Sequence, residues 1–144
     1  MTRDETVRFF DFEQGQWHAR DAEGLAGRYT RDGIIISPIF KRVEGKDAIL
    51  ESYRTLFAMF PDWHYTGQQL LVDGDRVSQP FVVSATHSAE FMGLPGSGRK
   101  VEIHGVRLLE MQDGLIHHER RYYDFTQFLV ELGVLRAKPA RPGP

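Results

Sequence analysis

The stretch His118-Glu119-Arg120-Arg121-Tyr122-Tyr123-Asp124-Phe125-Thr126-Gln127-Phe128-Leu129-Val130-Glu131-Leu132-Gly133 changes its period midway, and that change decides the fold. Up to Asp124 it reads as a strand with His118, Arg120, Tyr122 and Asp124 on one face. From there Phe125, Phe128, Leu129 and Leu132 fall at the i, i+3, i+4, i+7 spacing of a helix. A carboxylate thus stands at a strand-to-helix junction, and two roles are open to it. Asp124 ends a polar, aromatic row where a general acid or base could work, and with Gln127 three residues on it also fits an N-terminal capping box.

The hairpin before this junction sets which side chains Asp124 can meet. Asp113-Gly114 suits a two-residue turn, or a three-residue turn with Gly114 left-handed. The three-residue turn, which we favour, puts Glu102, His104, Val106, Leu108 and Glu110 on the face of Asp124, Tyr122, Arg120, His118 and Ile116. His104 then lies opposite Tyr122 and diagonal to Asp124. The two-residue turn would send His104 to the other face.

Further out, Val7, Phe10, Gln14 and Trp17 mark one face of a first helix, and Asp21 to Tyr29 reads as a short second one. Gly33 to Phe40 reads as a buried strand broken by Pro38. Lys46 to Phe60 gives a longer helix with Ile49, Tyr53, Leu56, Phe57 and Phe60 on one side, stopped by Pro61. Strands follow over about His64 to Val72, Val77 to Phe91, Arg99 to Met111 and Leu115 to Tyr123. Helices first and an antiparallel meander afterwards define an α+β domain over 1–136, with 137–144 a patternless tail expected to be disordered.

Composition narrows the function. A formal net charge of −2 and basic residues interleaved with acids argue against a nucleic-acid surface. No run of about twenty apolar residues and no leader pattern occurs, so the expectation is a cytoplasmic protein with no membrane partner. The chain has no cysteine, which removes disulfides, thiolate catalysis and cysteine metal sites. His117 and His118 point to opposite faces of a strand and cannot share an ion, and His104, His118 and Glu110 make only a weak ligand set, so no metal is expected. No Gly-x-Ser-x-Gly elbow is present, and Gly93-Leu-Pro-Gly-Ser-Gly98 lacks the lysine and helix of a phosphate loop.

Phe60-Pro-Asp-Trp63, Asp73-Gly-Asp-Arg-Val77, Thr86-His-Ser-Ala-Glu-Phe-Met-Gly-Leu-Pro95, Gly98-Arg-Lys-Val101, Gly105-Val106, Asp113-Gly-Leu-Ile116, Asp124 and Leu132-Gly133, in that order, resemble the SnoaL-like polyketide cyclases and ester cyclases. The resemblance implies the cone-shaped fold of nuclear transport factor 2, with N-terminal helices packed on a curved, mainly antiparallel sheet that encloses a pocket. It also implies a general acid and base at Asp124, no cofactor, and an intramolecular aldol-type cyclisation of a carbonyl-containing, polyketide-like small molecule. His104 and Tyr122 would orient or share the proton. Isomerisation, hydration or hydrolysis in the same pocket, or a non-catalytic small-molecule-binding dimer, are the alternative readings.

The chain departs from the family pattern at Arg120, where tryptophan is common, at the phenols of Tyr122 and Tyr123, and at Glu110, where a histidine can stand. If Arg120 faces the pocket it would hold an enolate or anionic oxygen; otherwise it pairs with Glu102 or Glu110. His118 shares its face, and of the helix aromatics Phe10, Trp17, Tyr53 and Phe57, which are core by default, Trp17, Tyr53 and Phe57 are expected to reach ligand from the inner helix faces. The resemblance also implies a homodimer through the outer sheet face. In the favoured register that face carries Ile103, Leu109, Met111 and Tyr123 among Arg107, Glu119 and Arg121.

Overall fold

The computed structural model describes residues 1–136 and 138–142. Helix α1 (Arg3–His18) starts at a capping box, with Glu5 N donating to Thr2 Oγ1 and Thr2 N donating to Glu5 Oε2. It buries Thr6, Phe9, Phe10, Glu13 and Trp17, a stripe that includes a carboxylate. A short α2 (Ala22–Ala26) follows, capped by Asp21, and ends three residues before the expected limit because Tyr29 opens a strand. That strand, β1 (Tyr29–Ser37), stops before Pro38 and turns into β2 (Lys41–Glu44), which the period alone did not reveal. Helix α3 (Lys46–Met59) then lays Ile49, Tyr53 and Leu56 against the core.

The remaining strands are β3 (His64–Gly67), β4 (Leu71–Asp73), β5 (Arg76–Thr86), β6 (Lys100–Gln112) and β7 (Leu115–Tyr123), closed by α4 (Phe125–Leu132). The single strand expected from His64 to Val72 is two, broken at Gln68 to Leu70, and β5 ends at Thr86 rather than Phe91. The sheet runs β2-β1-β7-β6-β5-β3, with β4 also on β5. Only β1 and β7 pair in parallel; every other pairing is antiparallel. Thus β1, early in the chain, lies beside the last strand. Of the tail, residues 138–142 are exposed and form no helix or strand, and the expectation for 137, 143 and 144 lies outside the described residues. Among the described residues no helix is long and apolar enough to cross a membrane.

The β6–β7 hairpin corrects the expected register in an instructive way. Asp113 and Gly114 both take positive φ, 54° and 75°, and Gln112 pairs with Leu115, so the turn has two residues. A bulge follows at once: Met111 faces Ile116 while Glu110 faces His118, leaving His117 as the extra residue. The bulge restores the parity that the two-residue turn had shifted. Val106 therefore faces Tyr122 and Leu108 faces Arg120, and the expected grouping of His104, Tyr122, Arg120 and His118 stands, apart from Ile116, which the bulge turns into the core.

The assignment of faces is the reverse of the expectation. Val101, Ile103, Leu109 and Met111 of β6 are buried and look toward the helices, whereas Glu102, His104, Leu108 and Glu110 are exposed. Apolar burial outweighs any gain from enclosing the polar row, so the concave face takes Ile103, Arg107, Glu119, Arg121 and Tyr123. The strand residues expected at a dimer interface are core, and those expected around the pocket, His104, His118, Arg120, Tyr122 and Asp124, lie outside it.

Gly105 sits on this concave row of β6, and a Cβ there would lie 2.6 Å from the Phe81 ring and 2.5 Å from the Tyr122 carbonyl oxygen. Its missing side chain leaves room for Phe81 to cross the sheet. Gly105→Ala is expected to cost about 1–3 kcal/mol through overpacking, read as a lower urea midpoint with unchanged slope. A variant as stable as the parent would show that the strands relax freely here.

Candidate active site

Beneath the sheet's concave face lies a small cavity of about 30 Å³, walled by Trp17 of α1, Ser37, Ile39 and Phe40 around the β1–β2 turn, Leu56 of α3, Trp63, and a row of strand residues. That row is Tyr65, Phe81, Val83, Ile103, Arg107, Arg121 and Tyr123. The strands supply them by alternation, each concave position being two residues from the next.

The floor is a buried ionic network centred on Arg107, whose side chain is 0% exposed. Its guanidinium donates to Glu13 through Nη1 (2.7 Å) and Nη2 (3.1 Å), and to Glu119 through Nε (2.8 Å) and Nη2 (3.2 Å). Two forked pairs on one cation satisfy the geometry that makes burial of charge tolerable. Nη1 also donates to Gln79 Oε1 at 3.1 Å and to Tyr65 Oη at 3.3 Å. Arg121 continues the chain, with Nε to Glu119 Oε2 at 2.6 Å and Nη2 to Tyr53 Oη at 2.7 Å. Tyr29 donates to Glu119, and its hydroxyl lies 2.7 Å from that of Tyr53.

Two arginines and two glutamates give the network no formal net charge, and Glu119 and the two guanidinium groups favour one another's charged forms. Burial pushes the Glu119 carboxyl up, but the Arg107 and Arg121 cations outweigh it and leave it far below the usual carboxylate range. Burial works against the two guanidinium cations as well, and Glu119 overcomes it, raising both above their ordinary value. The Tyr53 phenol is pushed up to about 12 by burial, against the pull of Arg121, and burial likewise raises Tyr65 and Tyr123. These phenols are neutral at physiological pH.

Arg121 differs from Arg107 in one respect that matters for chemistry. Its side chain is 13% exposed, and its bonds use Nε and Nη2, which leaves Nη1 without a hydrogen-bond partner among the described residues. Ser37, Tyr65, Tyr123 and the two indoles are the other polar groups on the wall, and among the described residues the wall carries neither a carboxylate nor an imidazole. The cavity can donate hydrogen bonds and stabilise negative charge. It is not furnished to remove a proton with a side-chain base.

The residues singled out from the sequence divide accordingly. Trp17 lines the cavity, Tyr53 orients Arg121 from below, and half-buried Phe57 packs on both, at 6.1 Å from each ring centroid. Asp124, His104, Arg120, Tyr122 and His118 are exposed on the other face. Asp124 and His104 both line a second small pocket, of about 60 Å³, with Glu102, Ile103, Gln127 and Phe128, while His104 lies 3.5 Å from Glu102 and His118 3.9 Å from Glu110. Asp124 Oδ1 accepts from Gln127 N at 3.0 Å, so it caps α4, and the Gln127 side chain turns to Glu131 instead of closing the box. Sequence reading passed over Arg107, Glu119 and Arg121 as catalytic candidates because the expected register set them on the outer face as charges that could pair across a dimer axis, and Glu13 was not singled out. Their only signal was position: each alternates in phase with apolar residues.

Two measurements follow from this arrangement. Glu119→Gln leaves two buried cations undercompensated and should cost about 3–5 kcal/mol at neutral pH. Because the folded carboxyl lies below its ordinary value of 4.5, its contribution is complete above that value and is lost progressively as pH falls from there through the lower folded value. The stability gap between parent and Glu119→Gln should therefore narrow on acidification below about pH 4.5, as followed by denaturant titrations. A gap independent of pH would contradict the ionised pairing. For Asp124, replacement by Ala should cost about 1 kcal/mol and replacement by Asn far less, as for an N-cap, with ligand binding in the cavity intact in both.

The comparisons with known proteins agree with this architecture. The family model of the SnoaL-like polyketide cyclases matches residues 8–132, and no curated protein matches the chain. AclR, a candidate hydroxylase from Streptomyces galilaeus, superposes with a TM-score of 0.81 at 24% identity, over 94% of this chain and 100% of its own. IdmH, a candidate polyketide cyclase from Streptomyces antibioticus, does so with a TM-score of 0.74 at 26% identity, over 88% and 97%. A Catenulispora acidiphila protein of ketosteroid isomerase-like fold, in complex with trimethylamine, gives 0.72 at 17% identity, over 92% and 95%. The fold is the α+β cone of the nuclear transport factor 2 and ketosteroid isomerase type, and with a family match over most of its length the chain belongs to the SnoaL-like polyketide cyclase family.

Proposed function

We propose that this protein is a cyclase that takes a poly-carbonyl small molecule into the concave cavity and holds the enolate oxygen of the reacting carbonyl on Arg121. The observation that carries the reading is the wall itself, where hydrogen-bond donors surround a single partly exposed guanidinium. A fixed cation in an aromatic enclosure favours the enolate over its neutral acid. The methylene between two carbonyls is acidic, so its proton passes to water as the enolate is drawn onto Arg121. The enolate carbon then attacks a second carbonyl of the same molecule, forming the ring bond and an alkoxide. Tyr123 gives its phenolic proton to the alkoxide and regains one from water, and its transient phenolate is stabilised by Arg121. Trp17, Phe81 and Tyr65 hold the chain folded so that the two carbons meet.

The cavity is smaller than such a substrate, so entry moves Ile39 and Phe40 of the β1–β2 turn aside. This reading places the chemistry away from Asp124. It is tested by incubating the protein with a linear poly-β-ketone thioester and analysing the cyclised product. Wild type should accelerate cyclisation, and Arg121→Gln should reduce kcat roughly a hundredfold while retaining a folded spectrum, with partial recovery in Arg121→Lys. Equal rates for wild type and Arg121→Gln would overturn it.

A further inference from the structure

The chain has two tryptophans, Trp17 at the end of α1 and Trp63 between α3 and β3, and both stand on the wall of the cavity. They are 2% and 6% exposed, and neither indole Nε1 has a hydrogen-bond partner. Buried donors without partners are rare and destabilising. Among the described residues three such side-chain atoms occur, and two of them belong to tryptophans whose rings stand on the wall of this one cavity. Phenylalanine would supply the same aromatic packing without an orphaned N–H. Both rings are also fixed in place. Trp17 stacks on Tyr65 at 4.4 Å and meets Tyr53 edge-on at 5.3 Å, while the Trp63 carbonyl accepts from Arg20 at 3.1 Å and its ring packs on Phe60 at 5.5 Å. The Arg121 guanidinium carbon lies 5.6 Å from the Trp17 ring centre, so the neutral donor and the cation are neighbours.

We propose that the indole N–H groups of Trp17 and Trp63 form a second oxygen subsite beside Arg121, which accepts a neutral carbonyl of the ligand and selects for the mono-anion of a 1,3-dicarbonyl. The proposal rests on the reading that a ligand anion occupies this cavity against Arg121. A delocalised 1,3-dicarbonyl anion carries two oxygens at short separation, and a cation next to neutral donors matches that pair. A lone ketone would leave one class of donor unfilled, and an unfilled buried donor is what makes such a site discriminate.

Benzoylacetone is a suitable probe, because its enolate and neutral forms differ in absorbance and the protein's two indole N–H resonances can be followed individually. On titration into the full-length protein, both resonances should shift downfield with one saturation curve, and the bound ligand should absorb as the enolate. Trp17→Phe and Trp63→Phe should each weaken binding about fivefold to tenfold while the bound ligand stays ionised. Arg121→Gln should instead abolish the ionisation. Bound enolate with unmoved indole resonances and unchanged affinity in the Phe variants overturns the indole subsite but leaves the Arg121 reading standing. Shifted resonances around an unionised ligand overturn the Arg121 reading and keep the subsite, and absence of saturable binding overturns both. The resonances are read in the native protein, so a Phe variant that fails to fold does not remove the test.

Discussion

Arg107 has its guanidinium out of water and a carboxylate on either side, Glu13 from α1 and Glu119 from β7. The rest of the structure depends on that arrangement. Through Glu119 it reaches Tyr29 of β1 and Arg121 of β7, and through Arg121 it reaches Tyr53 of α3; on its other side Tyr65 of β3 and Gln79 of β5 complete the shell. One neutral cluster therefore joins both long helices to five strands. Hydrophobic residues of similar volume could hold these elements together as well or better. What they could not do is present a fixed positive charge to a cavity.

That charge explains the division of labour between the faces of the sheet. The outer row, with Asp124, His104, Tyr122 and Arg120, is hydrated, and its acid is engaged in capping α4. The inner row is aromatic and apolar except where it is ionic, so its electrostatics are strong and directional. Glu119 is too well paired to accept a proton, and the phenols are held neutral by burial. The site is accordingly built to lower the free energy of an oxyanion.

The helices, the strands of the second half and the strand-to-helix junction at Asp124 were legible in the sequence because apolar periodicity survives without tertiary information. The family was legible for the same reason, its motifs lying at turns and strand ends such as Asp113-Gly114 and Leu132-Gly133. The choice of face was not read correctly, although Val101, Ile103, Leu109 and Met111 outweigh their alternates in apolar content. The error came from placing Arg107, Glu119 and Arg121 on the outer face, as charges ringing a dimer interface. Charges that neutralise one another across distant elements leave no mark in a one-dimensional pattern, and Glu13 is ninety-four residues from its partner. The bulge at His117 was equally invisible, since nothing in the local sequence distinguishes a bulged pair from a regular one.

The central claim is that ligand is bound, and reacts, on the concave side against Arg121 rather than in the pocket beside Asp124. A crystal structure of the protein with benzoylacetone tests it most directly. The account predicts a ligand oxygen within hydrogen-bond distance of Arg121 Nη1, inside the wall formed by Trp17, Trp63 and Tyr123, with Ile39 and Phe40 displaced. Ligand seated between Asp124 and His104, with the cavity unchanged, would contradict it.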